Sequence, residues 1–143
     1  MKIREILEVK GSQVYSIQAD RSLLDAALVL TEHQIGALLV RDANGAAVGI
    51  LSERDVLRQC VHRSAELGRI PVADVMTRDL VVCVADDEIS YAMGIVTKNR
   101  VRHLPVIEGD AVAGLISIGD LVKASLEAVE YENRYLKEFI QGR

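Results

Sequence analysis

Apolar residues along the chain fall into short extended runs separated by stretches with helical spacing. Runs of about four apolar residues bounded by turn residues are typical of buried strands. Three such runs predict strands, at residues 14–17, 37–40 and 48–51. Ser22 and Asp25 have the spacing of a capping box and precede an apolar stripe, which predicts a helix after the first strand. Ser52 begins a second predicted helix.

The same succession of elements recurs about 65 residues later. Residues 49–58 align with residues 114–123, and residues 23–40 align with residues 89–106. Three pairs in the first alignment are identical, namely Gly49/Gly114, Ser52/Ser117 and Asp55/Asp120. The sequence therefore predicts a β-α-β-β-α unit that is present twice.

The repeat suggests a division of the chain into four parts. They are a first domain at 1–62, a linker at 63–69, a second domain at 70–124 and a helical extension at 125–143. A unit of some 60 residues buries little surface alone. We therefore expect a mixed α/β fold in which the two copies pack about a pseudo-twofold axis.

The extension continues the last predicted helix to about Ile140. Six positions of this helix, five of them apolar and the other Asn133, are spaced 4, 3, 4, 3 and 4 residues apart, as in the seam of a coiled coil. The apolar five are Val122, Leu126, Val129, Leu136 and Ile140. Two interpretations stay open, because the helix could pack on its own domain or associate with another copy, with Asn133 setting the register.

The repeated motif Gly-φ-φ-Ser-x-x-Asp, where φ is apolar, has two explanations. In the first, Ser caps the helix and the acid favours the helix dipole. In the second, the helix N-terminus and the Ser hydroxyl bind a phosphate, while the carboxylate accepts hydrogen bonds from a ribose diol. A single motif of this kind is more often a cap, whereas its duplication favours a ligand site.

Cations are distributed unequally between the copies. Residues 98–103 carry local positive charge, and Arg102 and His103 precede a predicted strand where the first copy has Gly36 and Ala37. Arg54 in the first copy corresponds to Gly119 in the second. We therefore expect two half-sites that differ chemically.

Composition limits the classes of function. The 143 residues carry a net charge of −4 and only 3% aromatic residues, which argues against binding nucleic acid or anionic membranes. The two cysteines fit no metal-ligand spacing and suggest reduced thiols in the cytoplasm. No apolar run is long enough for a membrane span. The sequence contains no dinucleotide fingerprint, phosphate loop or catalytic pairing, so we predict neither catalytic residues nor a metal.

These motifs together resemble a tandem pair of cystathionine-β-synthase (CBS) domains, the Bateman module. The resemblance covers residues 1 to about 124. It depends on the two Gly…Ser-x-x-Asp motifs and on the segments at residues 72–77 and 101–106.

The resemblance implies a regulatory module that binds AMP, ADP, ATP, NAD(H) or S-adenosylmethionine in the cleft between the repeats, with AMP as the preferred ligand. In the family the motif Asp holds the ribose, the motif Ser meets phosphate or ribose, and residues opening the second strand line the base and phosphates. Ser16 and Cys83 stand where a Thr is frequent. With Arg54 added from the repeat comparison, the candidate binding residues are Ser16, Gly36, Ala37, Ser52, Arg54, Asp55, Cys83, Arg102, His103, Pro105, Ser117 and Asp120.

The resemblance also implies a homodimer that regulates a partner protein not identified by the sequence. Two alternatives remain beside the nucleotide sensor. One is a ligand-free interaction module that regulates a partner enzyme, and the other is an enzyme that processes a nucleotide.

Overall fold

The computed structural model describes residues 1–141. Along these residues the elements are α1 (Ile3–Lys10), β1 (Ser16–Gln18), α2 (Leu23–His33), β2 (Ala37–Arg41), β3 (Ala47–Ser52), α3 (Glu53–Arg63), β4 (Cys83–Val84), α4 (Ile89–Asn99), β5 (His103–Glu108), β6 (Ala111–Ser117) and α5 (Ile118–Gln141). Short 3-10 turns occupy Ser64–Glu66 and Val72–Asp74. The chain forms two compact units, the 14–80 unit and the unit that joins residues 1–13 to residues from 81 onward.

Each unit contains one three-stranded sheet. In the 14–80 unit the strand order is β1-β2-β3, and in the other unit it is β4-β5-β6. The first pair in each sheet is parallel and the second is antiparallel. The repeated β-α-β-β-α order and the mixed α/β class predicted from the sequence are confirmed.

One face of each sheet packs against the helices of its own unit. In the 14–80 unit, Ile17, Leu38 and Leu51 join buried residues of α2 and α3 in one cluster. In the other unit, Leu104, Val106 and Ile116 join α1, α4 and α5. Because side chains alternate across a strand, every second residue of these strands points to the opposite face.

The segment that opens each sequence repeat packs in the unit that holds most of the other repeat. The N–H of Ile3 donates to the carbonyl of Asp87 at 3.0 Å, and Arg4 donates to Ala85 at 2.9 Å. The corresponding bonds in the 14–80 unit run from Val72 to Arg21 at 2.7 Å and from Ala73 to Ala19 at 2.9 Å. The compact units therefore divide the chain at different places from the sequence repeats.

The structure adds details that the repeat did not predict. Residues 3–10 form the helix α1, whereas the matching segment forms only a 3-10 turn at Val72–Asp74. Strand β4 has two residues where β1 has three. Leu39 donates its N–H to Tyr15 at 3.1 Å beside β1, but the corresponding residue beside β4 is Pro105, which has no N–H to donate.

Candidate functional site

In the 14–80 unit the candidate residues meet where β3 ends and α3 begins. Ala37 pairs with Ser52 across the antiparallel strands, and Ser16 pairs with Leu39 on the parallel side. This register places Ser16, Ala37 and Ser52 on the sheet face opposite the helix-packed core. Gly36 accepts a hydrogen bond from the N–H of Glu53 at 2.9 Å, which fixes the strand beside the start of the helix.

Ser52 and Asp55 form a reciprocal capping box at this junction. Ser52 Oγ accepts from the Asp55 N–H at 3.3 Å, and Asp55 Oδ2 accepts from the Ser52 N–H at 2.9 Å. Arg58 Nη1 stands 4.0 Å from Asp55 Oδ1. Arg54 lies exposed on the first turn of α3. The helix cap thus orients the carboxylate, whose side chain is 17% exposed.

The unit formed by residues 1–13 and 81 onward repeats this backbone arrangement. The N–H of Ile118 donates to the carbonyl of Arg102 at 2.8 Å, as Glu53 donates to Gly36. His103 pairs with Ser117, and Pro105 pairs with Leu115. His103, Pro105 and Ser117 therefore share the sheet face opposite the core, with Arg102 exposed at the entry to the strand.

Asp120 in this unit makes an ion pair that the sequence analysis did not predict. Its Oδ2 accepts from the Ser117 N–H at 2.8 Å and from Lys10 Nζ at 2.6 Å. Lys10 Nζ also donates to the Leu115 carbonyl at 2.8 Å. Burial raises the pKa of Asp120, but the hydrogen bonds and charge of Lys10 and Ser117 outweigh it and hold the pKa below the ordinary 3.8. Lys10 and Asp120 lie 110 residues apart, so no local pattern could reveal the pair.

A third Ser-x-x-Asp box stands away from these junctions, at the start of α2. Ser22 Oγ accepts from the Asp25 N–H at 3.1 Å, and Asp25 Oδ2 accepts from the Ser22 N–H at 3.4 Å. The capping interpretation of the motif therefore applies to all three boxes. Capping alone does not distinguish a ligand site from an ordinary helix start.

The structure does not bring Cys83 to the candidate face. Cys83 pairs with Val106, is 3% exposed and belongs to the hydrophobic core. Burial, aided by the charge of Asp87, raises the pKa of its thiol to about 12. Ser16 pairs with Leu39, and the residue that corresponds to Leu39 in the other sheet is Pro105. Because Cys83 pairs with Val106, the residue opposite Pro105 is Val82. Val82, and not Cys83, is therefore the counterpart of Ser16.

The motif glycines make room for the chain itself. A Cβ atom at Gly49 would stand 2.6 Å from Met76 Sδ and 2.9 Å from the Thr77 carbonyl oxygen. At Gly114 it would stand 2.6 Å from Leu7 Cδ2. The residues that contact the glycines belong to the segments that open the two sequence repeats. Close packing of one chain segment against another therefore explains both glycines.

A groove borders the first junction without reaching its motif side chains. A groove of about 590 Å³ between α2 and α3 is lined by Gly36 and Glu53 but not by Ser52 or Asp55. Within residues 1–141, no three acidic, His or Cys side chains converge as a metal site. None of the helices in this range has both the length and the apolar character to cross a membrane.

Comparison with known proteins identifies the family. Residues 3–62 and 72–127 each match the CBS domain. The mitochondrial CBS-domain-containing protein CBSX3 of Arabidopsis thaliana is 35% identical over 148 residues, which cover 98% of this chain and 72% of that relative. The crystal structure of a CBS-domain-containing protein from Agrobacterium tumefaciens is 38% identical, with a TM-score of 0.82, covering 87% of this chain and 92% of that one.

A more distant structure shares the fold. The CBS domain pair of protein MJ0100, solved in complex with 5′-methylthioadenosine and S-adenosyl-L-methionine, is 20% identical with a TM-score of 0.76. It covers 87% of this chain and 98% of its own. The two matched segments and the two β-α-β-β-α units together show that this chain belongs to the CBS-domain family and is a CBS pair, a regulatory module.

Proposed function

We propose that the chain is a non-catalytic sensor that binds an adenosine-containing ligand, with AMP preferred. The observation that carries the proposal is the repeated strand-to-helix junction, where the N–H of Ser52 or Ser117 orients a partly exposed Asp carboxylate. Asp55 and Asp120 are 17% and 26% exposed. An oriented carboxylate is suited to accept hydrogen bonds from the two hydroxyls of a ribose.

The charges at the second junction favour a phosphate on that ligand. Lys10 Nζ lies beside Asp120, and Arg102 is exposed where its backbone meets the first residue of α5. These cations attract the 5′-phosphate of AMP and repel the sulfonium of S-adenosylmethionine. The ligands of MJ0100 support a ligand of the adenosyl class. The same argument applies to ADP, ATP and NAD(H), because each of them contains both a ribose and a phosphate.

The proposed ligand regulates by binding one arrangement of the chain better than another. Such a difference in affinity is required for a ligand to shift a conformational equilibrium. We propose that the shift alters contact with a partner protein and that the chain works as a homodimer. Its cytoplasmic location stays a prediction.

The direct test identifies the ligand without assuming one. Nucleotides released from the purified protein by denaturation are identified by mass spectrometry, and calorimetry then measures AMP, ATP, NAD and S-adenosylmethionine against the stripped protein. We expect AMP to bind most tightly and S-adenosylmethionine most weakly. Tighter binding of S-adenosylmethionine than of AMP would contradict the charge argument.

A matched pair of variants separates ribose binding from helix capping. Asp55→Ala and Asp25→Ala each remove the acid of a Ser-x-x-Asp box, and each costs about 1 kcal/mol of stability because the carboxylate no longer accepts the N–H of the capping serine. Only Asp55 stands at a candidate junction. We expect Asp55→Ala to weaken AMP binding while Asp25→Ala leaves it unchanged, and equal effects on AMP binding would remove the ribose assignment.

A ligand-free interaction module is the second candidate. The observation in its favour is that Lys10 already occupies the carboxylate of Asp120. In that case millimolar AMP, ATP, NAD or S-adenosylmethionine would leave the melting temperature unchanged, because a ligand that binds only the folded state must raise it. Turnover of ATP, NAD or S-adenosylmethionine that depends on Ser52 or Ser117 would instead indicate an enzyme.

A further inference from the structure

The outer half of α5 is a helix whose surface is open on all sides. Leu121 and Ala124 bury the start of the helix against its own unit. Every residue from 129 to 140 is exposed, and Val129, Leu136 and Ile140 are 52%, 50% and 70% exposed. Packing on its own unit therefore accounts for the first turns of α5 and leaves Val129, Leu136 and Ile140 exposed.

The exposed apolar residues form a seam separate from the buried face. At about 100° per residue, the seam lies roughly 130° around the helix from Leu121 and Ala124. In heptad notation, Val122, Val129 and Leu136 take the d positions, and Leu126, Asn133 and Ile140 take the a positions. The helix can thus hold its own unit with one face and present the seam with another.

We propose that this seam packs against the same seam of a second copy in a parallel two-stranded coiled coil. The proposal deepens the homodimer proposed above and rests on it. A second copy is the occupant that fits, because both the central polar residue and the flanking charges match a parallel partner of identical sequence.

Asn133 and the flanking charges both select the parallel arrangement. In a parallel pair the two Asn133 side chains face each other at equivalent a positions, where each amide can satisfy the other. Glu132 takes a g position and Lys137 the e position five residues later. In a parallel coiled coil these positions meet across the interface, so each pair of helices gains two Glu132–Lys137 contacts of opposite charge.

Antiparallel arrangements of the same seam are disfavoured. Full overlap would set Leu126 against Leu136, which brings Glu130 near its own copy, Glu132 near its own copy, and Lys123 near Lys137. Those contacts all join like charges. A shift by one heptad relieves the repulsion in either direction but shortens the overlap, to residues 129–140 or to residues 122–133. It also places the Asn133 amide against Leu136 or against Val122, where it has no polar partner.

Disulfide trapping tests the proposed register. In a Cys60→Ser background, where the remaining Cys83 is buried, Asn133→Cys should give at least five times more covalent dimer under mild oxidation than Arg134→Cys. Arg134 is the matched control, because it is the next residue and points away from the seam. Equal trapping at both positions, or none at 133, would overturn the coiled coil.

Light scattering on the reduced samples distinguishes failure of the coiled-coil proposal from failure of the homodimer proposal. A dimer that fails to trap at residue 133 would contradict the coiled coil and leave the homodimer intact, whereas a monomer would contradict both.

Charge reversal then tests whether the two helices run parallel. In the Asn133→Cys background, Glu132→Lys should reduce trapping several-fold, and adding Lys137→Glu should restore it. Unchanged trapping in the Glu132→Lys variant would refute the parallel pairing.

Discussion

The two compact units have the same backbone plan but different groups at equivalent places. The bond from Glu53 to Gly36 in the 14–80 unit corresponds to the bond from Ile118 to Arg102 in the other unit. The Ile50 carbonyl accepts from the Thr77 N–H at 2.9 Å, whereas the corresponding Leu115 carbonyl accepts from Lys10 Nζ at 2.8 Å. A repeated fold therefore does not require a repeated chemistry.

This difference separates the two motif carboxylates. Asp120 shares its Oδ2 between the Ser117 N–H and a lysine, while Asp55 receives the Ser52 N–H and has Arg58 no closer than 4.0 Å. A ribose at Asp120 must compete with an ammonium group already in contact. We therefore expect the two junctions to contribute unequally to ligand binding, and four measurements test how far the units differ.

The largest expected difference is in thiol reactivity. With its pKa raised to about 12, Cys83 is a thiolate in only about one molecule in ten thousand at pH 8, and it is also buried. Cys60 in the 14–80 unit is partly exposed. Reaction with a chromogenic disulfide should label Cys60 at least a hundred times faster than Cys83. Equal rates in the native protein, with Cys60→Ser as the reference, would contradict the burial of Cys83.

Alanine at the two motif glycines should destabilise the units unequally. At Gly49 the added methyl meets a backbone carbonyl, which cannot move away, in addition to Met76. At Gly114 the three nearest atoms all belong to the Leu7 side chain, which can move. We expect Gly49→Ala to cost about 3 kcal/mol and Gly114→Ala about 1 kcal/mol, within the usual range for overpacking. Urea unfolding measures both, and a larger cost at Gly114 would reverse this comparison.

Removal of the two motif carboxylates should affect AMP binding to different extents. Hydrogen bonds to a charged group contribute about 1.5 kcal/mol or more, which corresponds to about a tenfold change in affinity. We expect that loss for Asp55→Ala and about a threefold loss for Asp120→Ala, because Lys10 already competes for Asp120. Calorimetry on both variants gives the ratio of the two losses in AMP affinity. A greater loss for Asp120→Ala would contradict this competition for the Asp120 carboxylate.

The smallest expected effect is the stabilisation by the Lys10–Asp120 pair. The pKa of Asp120 is lowered in the folded state, so its contribution is present above the ordinary 3.8 and is lost as the pH falls through the lowered value. Lys10→Met should cost about 0.5–1 kcal/mol at pH 7, since both side chains are partly exposed. The cost should fade below about pH 3.8.

Arg58→Met is the control for the ion pair in the 14–80 unit. Its distance of 4.0 Å from Asp55 predicts no measurable change in stability. Urea unfolding of both variants at pH 7 and in acid shows whether the destabilisation by Lys10→Met decreases as the pH falls. A Lys10→Met cost that grows in acid would contradict the assigned ion pair.

Local patterns predicted most of the fold. Capping boxes at Ser22 and Ser52, the apolar runs and the duplicated motif gave the helices, the strands and their order, because each of these signals spans only a few residues. Strand β4 is short because Pro105 on the neighbouring strand has no N–H to donate to it. This effect acts between strands, so the sequence pattern of β4 alone does not predict it. The same register separates Cys83 from the position of Ser16.

Only those residues of the candidate site that belong to the duplicated motif were predictable from the sequence. The positions of Ser52, Asp55, Ser117 and Asp120 come directly from the duplicated motif. The pairing of Lys10 with Asp120 depends on α1 packing in the unit built from residues after 81. That contact joins distant parts of the chain, and neither composition nor spacing encodes it.

The placement of α1 also has a consequence for synthesis of the protein on the ribosome. The 14–80 unit is continuous in sequence, so all its parts emerge together and it can begin to fold while translation proceeds. Helix α1 emerges before that unit, but Ala85 and Asp120, which it contacts, are made some 80 to 110 residues later. Helix α1 must therefore wait, with Ile3 and Ile6 uncovered, until the chain has been made as far as its partners in the second unit.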